Sequence, residues 1–413
     1  MHINILITLL SALTFGHCIV LKALQIRSAS NPIPENVADI YEPRTYSKWQ
    51  QYHAESASFY IIRFVIDEIM ILLMLTANIP GRFMDLFPRG LGWFLLSSAL
   101  TVFAVMLVSS LFSLHQIQIK EKYGLNKLSR KTFWKKQLRL FTVILMFFLA
   151  ANSISYFTVN TGHLENYIEF PLFLVFITGP VIIFAILFLP VIVLWNTKPL
   201  QGKGLQEKLE KILETGRIKN CRIRIKKTDF SAPPNACYFR YFHKQYIILY
   251  DTLLLNHSTE EVEGIFAHEV GQAVHYRFIP RLLQITGMLI PLITYVWYLF
   301  NLVVTSAVSQ IRIDQISLPA VAIILVGQFY LLTAGPALMN LFSRKRTILA
   351  DEYAADIGYG AALETCLKHI AGTEFEELNP DPLLVCLEWG LPPLNLRISQ
   401  IENKLSDKPK SLP

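Results

Sequence analysis

Residues 267–275 read Ala267-His268-Glu269-Val270-Gly271-Gln272-Ala273-Val274-His275. The stretch follows Ser258-Thr259-Glu260-Glu261, a capping-box pattern, and runs without proline to Phe278, so one helix is predicted from about Glu261 to Phe278. On a helix, His-Glu-x-x-His sets two imidazoles on one face, both within reach of one zinc ion, with the glutamate beside the first acting on a metal-bound water. His268 and Glu269 fit that pattern, but Gln272 stands where the second histidine belongs. His275 is a poor substitute, because two helical turns separate it from His268 by about 10 Å. Gln272 offers only a neutral amide oxygen, a weak zinc ligand beside imidazole or carboxylate.

Working outward, the chain is too apolar for an ordinary soluble enzyme. Of 413 residues, 53% are hydrophobic and 17% charged, and mean hydropathy is +0.39; soluble domains carry about 25% charged residues. Disorder is excluded on the same ground. Five scattered cysteines (Cys18, Cys221, Cys237, Cys366, Cys386) without a CxxC pair exclude a disulfide scaffold. The net charge of +7 is read as basic loops beside a membrane, with no nucleic-acid partner.

Seven segments are apolar enough to span a bilayer: Ile3–Leu24, Phe59–Ile79, Leu91–Leu114, Phe141–Val159, Leu172–Trp195, Ile279–Val308 and Leu318–Phe342. The first lacks the cleavage features of a signal peptide and reads as an anchor. The second carries Arg63, Asp67 and Glu68, so it either lines a wet cavity or stands partly outside lipid. Loops 25–58, 115–140 and 196–278 then share one side with the tail from Ser343. Lys120, Lys122, Lys127, Arg130, Lys131, Lys135, Lys136 and Arg139 lie in the second of these loops, against Arg82, Arg89 and Arg312 opposite. The positive-inside rule places that side in the cytosol, whether the membrane is bacterial or endoplasmic reticulum.

Between the spans, Leu205–Gly216 has helical periodicity, and Arg222–Thr228 and Tyr246–Tyr250 read as strands, separated by Ser231–Phe239 with its breakers Pro233 and Pro234. After the last span comes Glu352-Tyr353-Ala354-Ala355-Asp356, whose two carboxylates share a helix face. His243 and His257 read as solvated loop histidines, and Cys237 as a packing residue on a strand.

Several blocks, taken in order, resemble the Ste24 type of CAAX prenyl proteases, membrane zinc metallopeptidases of family M48. They are Phe112–Phe141, Lys198-Pro199-Leu200, Pro234-Asn235-Ala236 through Ile247–Leu254, Ala267–Gly271, Glu352–Asp356 (like EYxAD) and Leu391-Pro392-Pro393-Leu394 with Arg397-Ile398 (like HPPLxxRI). The resemblance implies a mainly α membrane protein: seven helices form a barrel around a large chamber, with a small α+β peptidase domain on the cytosolic side. The domain reading is 1–195 for helices one to five, 196–278 for the peptidase core, 279–342 for helices six and seven, and 343–413 for the rest of the peptidase domain. The implied activity is hydrolysis of prenylated or other membrane-associated peptides through a zinc-activated water. His268, Glu352 and the Gln272 position are implied as metal ligands and Glu269 as the general base. Asp356 is implied to hold His268, and Asn235, Ala236 and Arg397 to meet the peptide. Two departures, Gln272 and Leu391 for histidines of the family, weaken or remove the zinc. They leave a second reading open: an inactive relative that binds lipidated peptides or a partner.

Overall fold

The computed structural model describes residues 3–76, 90–125, 128–160, 193–228, 232–241, 243–276 and 318–407, with a few isolated positions between them. Four long helices come first: α1 (Ile3–Ser28), α2 (Pro43–Thr76), α3 (Leu91–Lys122) and α4 (Arg130–Asn160). Their outward side chains are apolar, with Ile62, Val143 and Met146 all more than half exposed, as lipid-facing positions require. Among the described residues, three helical stretches are long and apolar enough to cross a membrane: Thr8–Ser28, Leu91–Lys122 and Ile324–Asp356. The expected spans Leu172–Trp195 and Ile279–Val308 lie largely outside the described residues. The charges of α2 find protein partners: Arg63 sits 3.5 Å from Asp67 and donates to Ser109 of α3, while Glu68 accepts from Ser11 of α1.

A four-stranded sheet follows, built from β1 (Thr197–Pro199), β2 (Cys221–Lys226), β3 (Ala236–Tyr241) and β4 (Lys244–Tyr250) in the order β1-β2-β4-β3. Central β4 has Tyr246, Ile247, Ile248 and Leu249 all buried, the unbroken apolar run of a strand covered on both faces. β2 pairs with it in parallel and β3 antiparallel, with Tyr238 opposite Ile247. The breakers Pro233 and Pro234 end just before β3, which the residue pattern alone did not announce as a strand. Amphipathic α5 (Lys203–Thr215) precedes β2, and α6 (Asp251–Asn256) continues from β4.

The expected capping box starts α7 (Thr259–Val274): the Ser258 hydroxyl accepts from the Glu261 amide, and Glu261 accepts from the Ser258 amide. His275 closes this helix, so it stops short of the expected Phe278. α8 (Leu318–Phe329) runs through a π turn at Tyr330–Ala334 into α9 (Gly335–Asp356). The turn stands just before Pro336, which has no amide to donate and crowds the preceding backbone. α10 (Gly360–Glu374), α11 (Pro382–Glu388) and α12 (Leu394–Ser406) complete the chain.

α7 is the axle of this half of the molecule, packed by α5, α9, α10 and β3. Two glycines permit the approach. A Cβ on Gly264 would fall 2.6 Å from the carbonyl carbon of Ala362, and one on Gly271 would fall 2.8 Å from Ala350 Cα. The segment joining α1 to α2 docks onto the same unit: the Tyr41 hydroxyl donates to the Glu376 carbonyl at 2.8 Å, the Trp49 indole to the Phe375 carbonyl at 3.1 Å, and Asn36 to the Asn395 carbonyl at 2.8 Å. Loop 25–58 therefore packs against the C-terminal tail. Overpacking of a tight core costs about 1–3 kcal/mol, so Gly264→Ala is expected to lower the apparent melting temperature in detergent. Gly16→Ala, where nothing lies within 4 Å of the added methyl, is expected to leave it unchanged.

Candidate active site

The buried face of α7 presents His268 and Glu269, both nearly closed to solvent. His268 Nδ1 lies 2.6 Å from Asp351 Oδ1. An ionised carboxylate only accepts, so Nδ1 carries the proton, and Nε2 is left with its lone pair. Asp351 is fully buried and is gripped from behind by Arg397 in a two-pronged bond: Nε donates to Oδ2 at 2.7 Å and Nη2 to Oδ1 at 2.8 Å.

The order Arg397–Asp351–His268 revises the sequence reading in two places. Asp356 was expected to hold His268, but it is exposed and pairs with Lys404 at 3.3 Å. Arg397 was expected to meet the peptide, but it is buried with Asp351. Helical geometry explains the first revision. Asp351 is on the inward face of α9 with Thr347, Ala350, Ala354 and Ala355, whereas Glu352 is turned about 100° from it and is partly buried. The expected ligand and its supporting aspartate were four residues apart. Thr347, one turn before Asp351 on the same face, is buried, and its hydroxyl donates to the Ser343 carbonyl.

Gln272 fills the remaining side of His268. Its amide nitrogen is 3.2 Å from His268 Nε2, so it donates to the lone pair that a metal would use. The side chains bonded to His268 are thus the Asp351 carboxylate and the Gln272 amide. Among the described residues, no set of three His, Cys, Asp or Glu ligand atoms close enough to share an ion includes His268. An amide stands where a second imidazole would serve a catalytic zinc, which takes nitrogen, sulfur or carboxylate ligands and needs three from the protein. His275 packs its ring on Tyr353, away from this role.

Glu269 faces the sheet. Its Oε2 accepts the Tyr238 amide at 2.6 Å, an N–H of edge strand β3 that points away from β4. Burial pushes the Glu269 carboxyl up, against the pull of His268, the Tyr238 amide, Arg346 and Arg397. Asn235 and Ala236 stand at the upstream end of this strand: Asn235 accepts the Ala236 amide in its own turn, and Ala236 is buried opposite Leu249. The residue at the carboxylate is thus Tyr238, which the sequence reading did not single out; the strand's alternation could have pointed to it. Cys237, beside it, has its thiol pushed up to about 11, first by burial, then by Glu269, and packs as expected. Leu391 is exposed, next to buried Pro392 and Pro393.

Residues 22–194 match the family described as CAAX prenyl protease N-terminal, five membrane helices, and residues 199–403 match peptidase family M48. The chain belongs to peptidase family M48. It is of the Ste24 type, the membrane zinc metalloproteases of the CAAX prenyl protease class. A CAAX prenyl protease 1 homologue of Dictyostelium discoideum is 23% identical over 91% of this chain and 90% of its own length. Another from Oryza sativa is 25% identical over 51% of this chain and 50% of its own length. The crystal structure of S. mikatae Ste24p superposes with a TM-score of 0.74 at 19% identity, covering 97% of this chain and 99% of that one. This M48 chain carries the His268-Glu269 pair, with Gln272 one turn after His268.

Removing one partner of a buried charge pair costs about 3–5 kcal/mol, whereas an exposed pair is worth about 0–1 kcal/mol. Asp351→Ala is expected to lower the apparent melting temperature sharply, and Asp356→Ala hardly at all. Equal effects would return the supporting role to Asp356.

Proposed function

We propose that this chain is a membrane endopeptidase of the CAAX prenyl protease type that receives an extended peptide along β3 beside Glu269, and that its turnover is limited by an incomplete metal centre. The observation that carries this reading is Glu269 seated against the Tyr238 amide of an edge strand. An edge strand can bind a peptide backbone by adding a further strand, whatever the side chains. In such a pairing the incoming peptide competes with Glu269 for the outward amide and displaces the carboxylate toward the bond to be cut. His268, fixed by Asp351, and Glu269 are then the polar groups next to that bond, with Arg346 and Arg397 supplying positive charge nearby.

The substrate class follows from the family and the membrane helices: C-terminal peptides held at the bilayer, prenylated ones included. In this reading seven helices enclose a chamber, in the order 1–195, 196–278, 279–342 and 343–413 given above. The peptidase part faces the cytosol with the basic 115–140 loop.

Repair of the centre tests the reading. Gln272→His supplies a second imidazole one turn from His268, in place of the amide that now donates to it. This variant is expected to bind one more zinc per chain than the unaltered chain and to cleave a prenylated reporter peptide at least a hundredfold faster. Adding Glu269→Gln is expected to abolish cleavage and leave the zinc in place. A repaired chain no faster than the original would contradict the proposal.

A further inference from the structure

A second group of potential ligands lies at the opposite end of α7 from His268. His257 ends α6, Glu261 is in the first turn of α7, and His369 is on α10. Glu261 Oε1 is 2.9 Å from His369 Nδ1 and 3.4 Å from His257 Nδ1, and the two rings are 4.4 Å apart at their centroids. The other oxygen, Oε2, already accepts the Ser258 amide at 2.7 Å. The carboxylate is therefore fixed from behind by the capping box and turns one oxygen toward two imidazole nitrogens. All three ligand atoms lie within 4.8 Å of one another. Around a tetrahedral ion with bonds of about 2.0–2.1 Å, ligand atoms sit about 3.3 Å apart, so small side-chain movements suffice to admit one.

The chemistry is that of a borderline transition metal. Two imidazoles and a carboxylate suit zinc, cobalt or nickel, whereas calcium and magnesium require oxygen ligands. The Cys366 thiol, one turn before His369 on α10, is 4.0 Å from His257 Nδ1. His257 is sealed in the interior, while His369 is nearly half exposed at a cavity of about 600 Å³ lined by Asp39, Glu364 and Lys368. An ion can therefore enter from solvent and meet fixed ligands inside.

We propose that His257, Glu261 and His369 form a divalent transition-metal site separate from the His268 centre, tying the α6–α7 junction to α10. The site does not depend on peptidase activity. Its consequence is practical: zinc carried by this chain reports on His369, not on the His-Glu pair.

The test uses the full chain in detergent, stripped by chelator and titrated with zinc against a chromogenic competitor. One zinc per chain is expected. His369→Gln is expected to weaken it at least tenfold, and His243→Ala, at an exposed loop position, to leave it unchanged. Zinc is further expected to raise the apparent melting temperature of the unaltered chain and not that of His369→Gln, which separates lost binding from lost folding. No zinc on the unaltered chain, or zinc retained in full by His369→Gln, would overturn the proposal. Peptide cleavage is read separately, so failure here leaves the reading of β3 and Glu269 standing.

Discussion

The Asp351 carboxylate, closed in between Arg397 and His268, is the constraint on which the rest of the peptidase half depends. A buried carboxylate without partners would be costly, and here both of its oxygens are claimed by donors from α12 and α7. That requirement fixes the rotation of α9 about its own axis. It also fixes the imidazole: Nδ1 is committed to the carboxylate, and Nε2 is directed at Gln272. Close packing at Gly271 and Ala350 holds α9 against α7.

Much of this was legible in the sequence. The described long helices fall where apolar runs of bilayer length occur. α5, α7, β2 and β4 follow from periodicity and the capping box, because each has one face to bury. What failed was register. Glu352-Tyr353-Ala354-Ala355-Asp356 has the look of the family's motif, but Thr347-Ile348-Leu349-Ala350-Asp351 has the same length and ends in an aspartate too. Local spacing cannot choose between two aspartates five residues apart. The choice is made by which one faces Arg397, a contact across 46 residues of chain. His257 failed for a related reason: a histidine that looks solitary along the chain meets His369 only after α10 has folded against α7.

The family's architecture and the family's chemistry are held by different residues, and this chain separates them. Arg397, Asp351, His268, the glycines of α7 and the edge strand maintain the shape of the site. Gln272 occupies the place beside His268 Nε2 where that shape would be turned into a metal centre. Gln272 replaces a ligand with a donor that satisfies the imidazole, so the pocket is stable without an ion. The docking of the α1–α2 segment onto the C-terminal helices holds this unit against the membrane helices in either case.

The most direct measurement is a double-mutant cycle between Asp351 and Arg397, using Asp351→Asn and Arg397→Met in the detergent-solubilised chain and reading stability. If the pair sets the register of α9, the two losses are expected to be strongly non-additive, with a coupling of about 2–3 kcal/mol. Additive losses, or an equal coupling when Asp356→Asn replaces Asp351→Asn, would contradict the account.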